Sequence, residues 1–139
     1  MFKVIYDTNV VVSGLISDRG IPALLLDLAF NERVAVFLSP EILDEYERVL
    51  SRPKLRILTT QRESVLKKLR SLAHWVEPRQ RLTVSRDPDD NRFLECAASG
   101  EVDFLVTGNL RHFPKTFRGT RVVNPRQFFE TFWRSTVTE

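Results

Sequence analysis

Three carboxylates that lie far apart in the chain have the residue type and the placement to act on one substrate: Asp7, Glu45 and Asp90. Asp7 follows directly on the apolar run Phe2-Lys3-Val4-Ile5-Tyr6, Glu45 lies in a helical stretch opening at Ser39-Pro40, and Asp90 opens a second helical stretch after Asp87-Pro88-Asp89. Carboxylates gathered at one point repel each other and call for a cation. A site lined only by such hard oxygens suits Mg²⁺ or Mn²⁺. The chemistry expected of it is metal-dependent work on a phosphoester.

Each acid also has a bland reading. Asp7 stands where a helix N-cap would stand, and an N-cap aspartate needs no catalytic role. On a helical wheel Glu45 lies roughly 60° from Ile42, nearer the stripe of Ile42, Leu43, Tyr46, Val49 and Leu50 than Glu41, Asp44 or Glu47 do. A partly inward glutamate needs a partner; the alternative is an exposed Glu45 paired with Arg48 or Arg52. Asp90 precedes Phe93, Leu94 and Ala97 by three, four and seven residues and so shares their face, whereas Asp89 is turned about 100° away. It reads as a ligand pointing into a cleft or as a structural carboxylate at a helix start. Val106-Thr107-Gly108-Asn109 follows another apolar run and offers the neutral oxygens of Thr107 and Asn109, or else a plain turn. Asp103, at the other end of that run, is expected to stay out of the site. His74 is expected to pack beside Trp75, and His112 could reach a phosphate but reads first as a loop histidine without a role.

The elements that would position these residues alternate. Strand-like runs are Phe2–Tyr6, Val34–Leu38, Asp103–Val106 and Arg121–Val123, with a weaker one near Trp75–Glu77 or Leu82–Val84. Helical patterns open at Pro22, at Ser39-Pro40, at Thr60 with Glu63 as a capping box, and at Asn124-Pro125. The last carries Phe128, Phe129, Phe132 and Trp133. Short apolar strands alternating with helices predict an α/β fold with a mainly parallel sheet covered on both faces. Such sheets place ligands beyond the carboxyl ends of their strands, where Asp7 and Thr107 would sit.

The 139 residues, 42% hydrophobic and 28% charged, are an ordinary globular composition sufficient for one domain. No apolar run approaches the ~18 residues of a membrane span, and no secretory leader is expected. The single Cys96 excludes an internal disulfide and a Cys-rich zinc site and reads as a small buried residue; a cytoplasmic protein is expected. The net charge of +3 is unevenly spread. From Arg48 to Arg86 there are eleven Lys/Arg against two acids, Glu63 and Glu77, so the rest of the chain holds ten against sixteen. The basic middle is either a polyanion-binding surface or a solvated helix face with basic loops.

Taken in order, Val4-Ile5-Tyr6-Asp7-Thr8-Asn9, Ser39-Pro40-Glu41-Ile42-Leu43-Asp44-Glu45, Asp87-Pro88-Asp89-Asp90-Asn91-Arg92-Phe93-Leu94, Leu105-Val106-Thr107-Gly108-Asn109 and Val122-Val123-Asn124-Pro125 resemble the PIN-domain family over most of the chain. Within it the chain looks closest to the prokaryotic toxins of toxin–antitoxin pairs. The resemblance implies a single PIN-like domain over residues 1–139, folded as a three-layer α/β/α sandwich with strand order 3-2-1-4-5. It implies hydrolysis of RNA with Mg²⁺ or Mn²⁺, Asp7, Glu45 and Asp90 as catalytic and metal-binding residues, and Thr8, Asn9, Thr107 and Asn109 as supporting or substrate contacts. Arg48, Arg52, Lys54 and Arg86 would hold the RNA backbone. A homodimer neutralised by a small antitoxin protein is implied as well. Many relatives carry a fourth acid where this chain has Asn109. That departure leaves room for a PIN domain that binds RNA or a partner with weak catalysis. A phosphatase with an aspartyl nucleophile is disfavoured, because it would want a second acid at Asn9.

Overall fold

Short apolar runs rich in β-branched and aromatic residues supply the strands, although Val10-Val11-Val12, of the same character, lies in a helix. The computed structural model describes residues 1–138. In chain order its strands are β1 (Lys3–Tyr6), β2 (Ala35–Leu38), β3 (His74–Trp75), β4 (Phe104–Val106), β5 (Thr116–Phe117) and β6 (Thr120–Val123). Its α-helices are α1 (Thr8–Ile16), α2 (Ile21–Phe30), α3 (Pro40–Leu50), α4 (Thr59–Leu72), α5 (Pro88–Gly100) and α6 (Pro125–Val137). One sheet forms, in the order β3-β2-β1-β4-β6-β5, parallel throughout except for the β5–β6 pair.

Numbering only the parallel strands gives the expected 3-2-1-4-5, and β5 is an added antiparallel edge. Helices cover both faces in a three-layer α/β/α arrangement, which is why Val4, Ile5 and Tyr6 in β1 and all three residues of β4 are buried. The core also takes Val10 and Val11 from α1 and Leu25, Leu26 and Ala29 from α2. Those two helices are bent by 104° to each other, and no single helix among the described residues is long and apolar enough to cross a membrane.

Three sequence expectations need correction. Helix α4 begins at Thr59 with Leu58 as its N-cap and no side-chain cap, so Thr60 and Glu63 fall inside the helix rather than forming a capping box. The weak strand is His74–Trp75; Leu82–Val84 forms none, because Leu82 N donates to the Glu95 carboxylate at 2.7 Å instead of to a sheet neighbour. His74 stacks on Phe37 (ring centroids 5.1 Å apart, planes at 17°) rather than on Trp75, since the parallel register pairs it with Phe37.

The strand ends matter most for the site. Asp7, Ser39 and Asn124 each follow a parallel strand and each caps the next helix through its side chain. At the carboxyl edge the chain crosses from β1 to β2 on one side and meets β4 on the other, which opens a crevice between β1 and β4.

Candidate active site

Each of the three acids reaches that crevice by a different local rule. Asp7 N extends the β1–β4 ladder by donating to Val106 O at 2.8 Å, and Thr107 N does the same toward Val123 O at 2.9 Å. Asp7 and Thr107 thus stand side by side. The Thr107 hydroxyl donates to Asp7 Oδ2 at 2.7 Å while Thr8 N donates to Oδ1 at 2.7 Å. Asp7 is therefore both the N-cap of α1 and a buried carboxylate, so the two readings of it coexist. Asn9 Nδ2 lies 3.3 Å from Asp7 Oδ2, and Asn9 Oδ1 accepts from Gly108 N at 3.0 Å, tying the start of α1 to the loop after β4.

Glu45 is carried by α3, which starts where Ser39 Oγ accepts from Ile42 N at 3.3 Å. Burial of Ile42, Leu43, Tyr46 and Leu50 sets the rotation of the helix, each contributing roughly 1.5–3 kcal/mol. The Glu45 side chain is left 14% exposed, against 37% for Glu41 and 46% for Glu47. The Thr8 hydroxyl donates to Glu45 Oε2. Arg48 Nη2 stands 3.8 Å from Glu45 Oε1, beyond hydrogen-bond reach, and 3.1 Å from Asp89 Oδ2. The expected ion pair is thus shared, and its closer member is Asp89.

Asp90 enters from the first turn of α5, which Asp87 caps by accepting from Asp89 N at 2.9 Å. The helix buries Phe93, Leu94 and Ala97, and Asp90 is buried with them while Asp89 faces outward toward Arg48. Ser85 Oγ lies 3.4 Å from Asp90 Oδ2, and His112 Nδ1 lies 3.4 Å from the same oxygen.

A cleft of about 450 Å³ results, lined by Asp7, Thr8, Asn9, Glu45, Asp90 and Asn109 together with Asp87, Asp89, Arg52, Lys54 and His112. Burial pushes the Asp7 carboxyl above its usual range, opposed by the hydrogen bonds from Thr107 and Thr8. Burial pushes Glu45 up to about 7, with Asp89 and Asp7 adding to the rise against the Thr8 bond and Arg48. Asp90 is pushed up to about 6, again by burial first and then by Asp87 and Asp7. Each acid is raised in part by its neighbours, the situation a cation relieves. Among the described residues no three His, Cys, Asp or Glu side chains form a ready-made metal cage. An open set of carboxylates still fits Mg²⁺, which keeps several waters and takes one or two carboxylates from the protein.

The remaining sequence candidates divide. Thr107 is fully buried beneath Asp7 and supports it rather than facing the cleft, whereas Asn109 is exposed and lines it. Arg52 and Lys54 line the cleft, Arg48 sits at its side on Asp89, and Arg86 is exposed outside it. Asp103 stays at the far edge, accepting from Lys3 N at 2.8 Å. His112, expected to have no role, faces the cleft, brought there by a short 3-10 turn over Leu110–His112.

Sequence reasoning also missed two supports. Asn91 Oδ1 accepts from Ser85 N at 2.7 Å and Asn91 Nδ2 donates to Ser85 O at 2.9 Å, which pins the loop before α5. Glu95, with its side chain 1% exposed, meets Arg92 at 2.9 Å and Arg81 at 3.7 Å, and Arg81 reaches on to Glu41 at 2.5 Å. Arg81 thereby links α5, which carries Asp90, to α3, which carries Glu45. The doubling of Glu95 with Arg92 at i+3 spacing was visible in the sequence, but its burial was not.

A family model for the PIN domain matches residues 3–111. The chain is 34% identical over 142 residues to the uncharacterized protein MJ1680 of Methanocaldococcus jannaschii, a match covering 94% of this chain and 91% of that one. Among solved structures, PAE2754 from Pyrobaculum aerophilum is similar with a TM-score of 0.60 and 14% identity, over 96% of this chain and 90% of that chain. VapBC2 from Rickettsia felis, bound to a DNA fragment from its promoter, is similar with a TM-score of 0.58 and 16% identity, over 88% of this chain and 98% of that chain. At such identities the structural likeness speaks to the fold.

Proposed function

The chain belongs to the PIN-domain family, whose members are in general nucleases, and on that premise we propose that it is a Mg²⁺- or Mn²⁺-dependent endoribonuclease, the toxin of a toxin–antitoxin pair. The observation that carries the reading is the meeting of Asp7, Glu45 and Asp90 in one cleft at the carboxyl edge of the sheet, all three with carboxyls raised by burial and by other acids. Asp7 and Asp90 are the principal metal ligands in this proposal, and Glu45 joins them directly or through water. When bound, the ion supplies Lewis acidity toward a phosphate oxygen and makes water a better nucleophile.

The chain's own groups do the rest. Thr107 and Thr8 hold the two oxygens of Asp7 in fixed directions. Glu45, whose Oε2 accepts from Thr8, keeps Oε1 free to orient the attacking water and take its proton. Arg52 and Lys54 on the wall of the cleft hold the RNA backbone, which gives affinity and little sequence reading. His112, beside Asp90, is placed to donate to a phosphate oxygen. The antitoxin and a homodimer belong to the same proposal; the antitoxin is supported by the likeness to the VapBC2 structure and the homodimer by the family resemblance.

The test is cleavage of a labelled single-stranded RNA by purified protein. Cleavage with Mn²⁺ or Mg²⁺, stopped by chelator and lost in Asp7→Asn, is the expected result. Chelator-resistant cleavage that survives Asp7→Asn overturns it. Asn109, standing in the cleft where many relatives have an acid, favours one second reading, a PIN domain that binds RNA or a partner with weak catalysis. RNA binding without metal-dependent cleavage would select it.

A further inference from the structure

A second and larger cavity, about 740 Å³, opens on the other side of the turn that carries His112. Strand β6 and helix α6 form its walls together with the chain from Leu110 to Thr116. Its floor is apolar: Phe113, Val122 and Val123 are each nearly buried. Its rim is cationic, with Arg111, Lys115, Arg121 and Arg134 against the single acid Glu130. Among the described residues none of these four cations is in an ion pair. Most other Lys and Arg of the chain are also outside ion pairs, and only Arg48, Arg70, Arg81 and Arg92 among the described residues sit on a carboxylate, so the groove is set apart by the clustering of its cations. The groove lies outside the basic segment 48–86, in the part of the chain where acids outnumber bases.

Four cations outside any ion pair, one of them Arg121 with its guanidinium 5.6 Å from the Phe104 ring centroid, make a local positive field that suits a polyanion. The groove and the cleft lie on the two sides of one short turn. In the segment Asn109–His112, Asn109 and His112 line the cleft while Leu110 and Arg111 line the groove. A strand held at the acids can therefore pass over this turn without leaving the protein surface. An acidic peptide would meet the same cations, and what favours a nucleic-acid strand is that the groove adjoins the cleft of acids.

We infer that this groove holds the RNA backbone on one side of the scissile phosphate, with Arg111, Lys115, Arg121 and Arg134 contacting phosphates. The inference rests on the nuclease reading for its substrate class, and its test runs without cleavage. Fluorescence anisotropy in chelator compares a single-stranded RNA of about 16 nucleotides with one of about 4, using wild type, Arg121→Gln/Arg134→Gln, Arg111→Gln/Lys115→Gln and the control Arg19→Gln/Lys67→Gln. Each groove pair should weaken the long RNA by tenfold or more at low salt and the short RNA by much less. The slope of log K against log salt should fall by about 1.4, roughly 0.7 for each lost contact to a single strand. The control should change neither. All six substituted side chains are surface groups, and a thermal melt checks that each variant folds.

Unchanged affinity and slope in both groove pairs overturn the inference, as does a wild type that does not bind the long RNA. Loss of binding to a poly-glutamate peptide with RNA binding intact assigns the groove to an acidic protein segment and also overturns it. A wild type that shows the slope and cleaves nothing leaves the groove standing and sinks the nuclease.

Discussion

Helix α5 buries two carboxylates five residues apart in opposite surroundings. Glu95 meets cations: Arg92 at 2.9 Å, Arg81 at 3.7 Å, and the amide of Leu82 at 2.7 Å. Asp90 meets other acids, Asp87 and Asp7, with only His112 and Ser85 to offset them. A buried carboxylate that already has its cations is part of the scaffold. One that is surrounded by further carboxylates is a site with a charge still to be supplied. The same helix thus anchors itself at one point and presents a ligand at another.

The comparison breaks most visibly in activity. Asp90→Asn is expected to lower RNA cleavage by about 10²-fold or more, the range seen when a charged catalytic group is removed, while Asp89→Asn costs roughly threefold at most because Asp89 faces Arg48. Cleavage kinetics under saturating Mn²⁺ read both, and equal losses would mean that the two acids have no division of labour. The same Asp90→Asn protein is expected to melt no lower than wild type, because it removes an acid repelled by its neighbours.

Glu95→Ala should behave in the reverse way. It leaves Arg92 with no partner and frees Leu82 N, costing about 2–3 kcal/mol, somewhat under the ~3–5 of a fully buried broken pair because Arg92 and Arg81 keep contact with water. Urea unfolding measures it. A neutral Glu95→Ala would remove the structural half of the comparison.

A pH series sharpens it further. Burial pushes the Asp90 carboxyl up to about 6 and that of Glu45 up to about 7, both above the ordinary carboxylate range. Groups raised on folding contribute stability that is full below the unfolded value and lost as pH rises through the folded one. Metal-free protein should therefore lose a few °C of melting temperature between about pH 5 and pH 7.5, on the scale by which about 1 kcal/mol moves a domain of this size. Mn²⁺ should flatten the trend, and Asp90→Asn with Glu45→Gln should abolish most of it. A flat profile in chelator would show that the acids do not share a strained cleft. The smallest effect is expected from Asn109→Asp, which adds a hard oxygen at the exposed rim and should tighten Mn²⁺ by a few-fold in calorimetry. Unchanged affinity and stoichiometry would make Asn109 a turn residue only.

The parts of this molecule that were legible beforehand are those where one local signal sufficed. Apolar runs marked four of the five parallel strands, with the fifth, His74–Trp75, left open between two places, and helical phase alone separated Asp90 from Asp89 and Glu45 from Glu41 and Glu47. What escaped depends on contacts between distant segments or on atypical turn chemistry. Strand β5 was hidden because its hairpin turns through Arg118 and Gly119, both at positive φ (49° and 89°), and arginine gives none of the Asn or Asp signal such a turn normally shows. Glu95 reads as an ordinary surface glutamate beside Arg92 until the loop at Arg81–Leu82 folds over it. His112 has no periodicity to place it, and only the turn after β4 aims it at Asp90.

The shortness of the two outermost strands limits how copies of this chain can assemble. β3 and β5 are two residues each, the first next to Leu72 and Ala73 at the end of α4 and the second flanked by Lys115 and Arg118. A sheet edge normally offers a row of unpaired amides and carbonyls to any passing strand, and short, charge-flanked edges withhold it. Two such chains have almost no ladder to extend into each other. Strand-to-strand pairing through these edges is therefore disfavoured, between native copies and in aggregates alike.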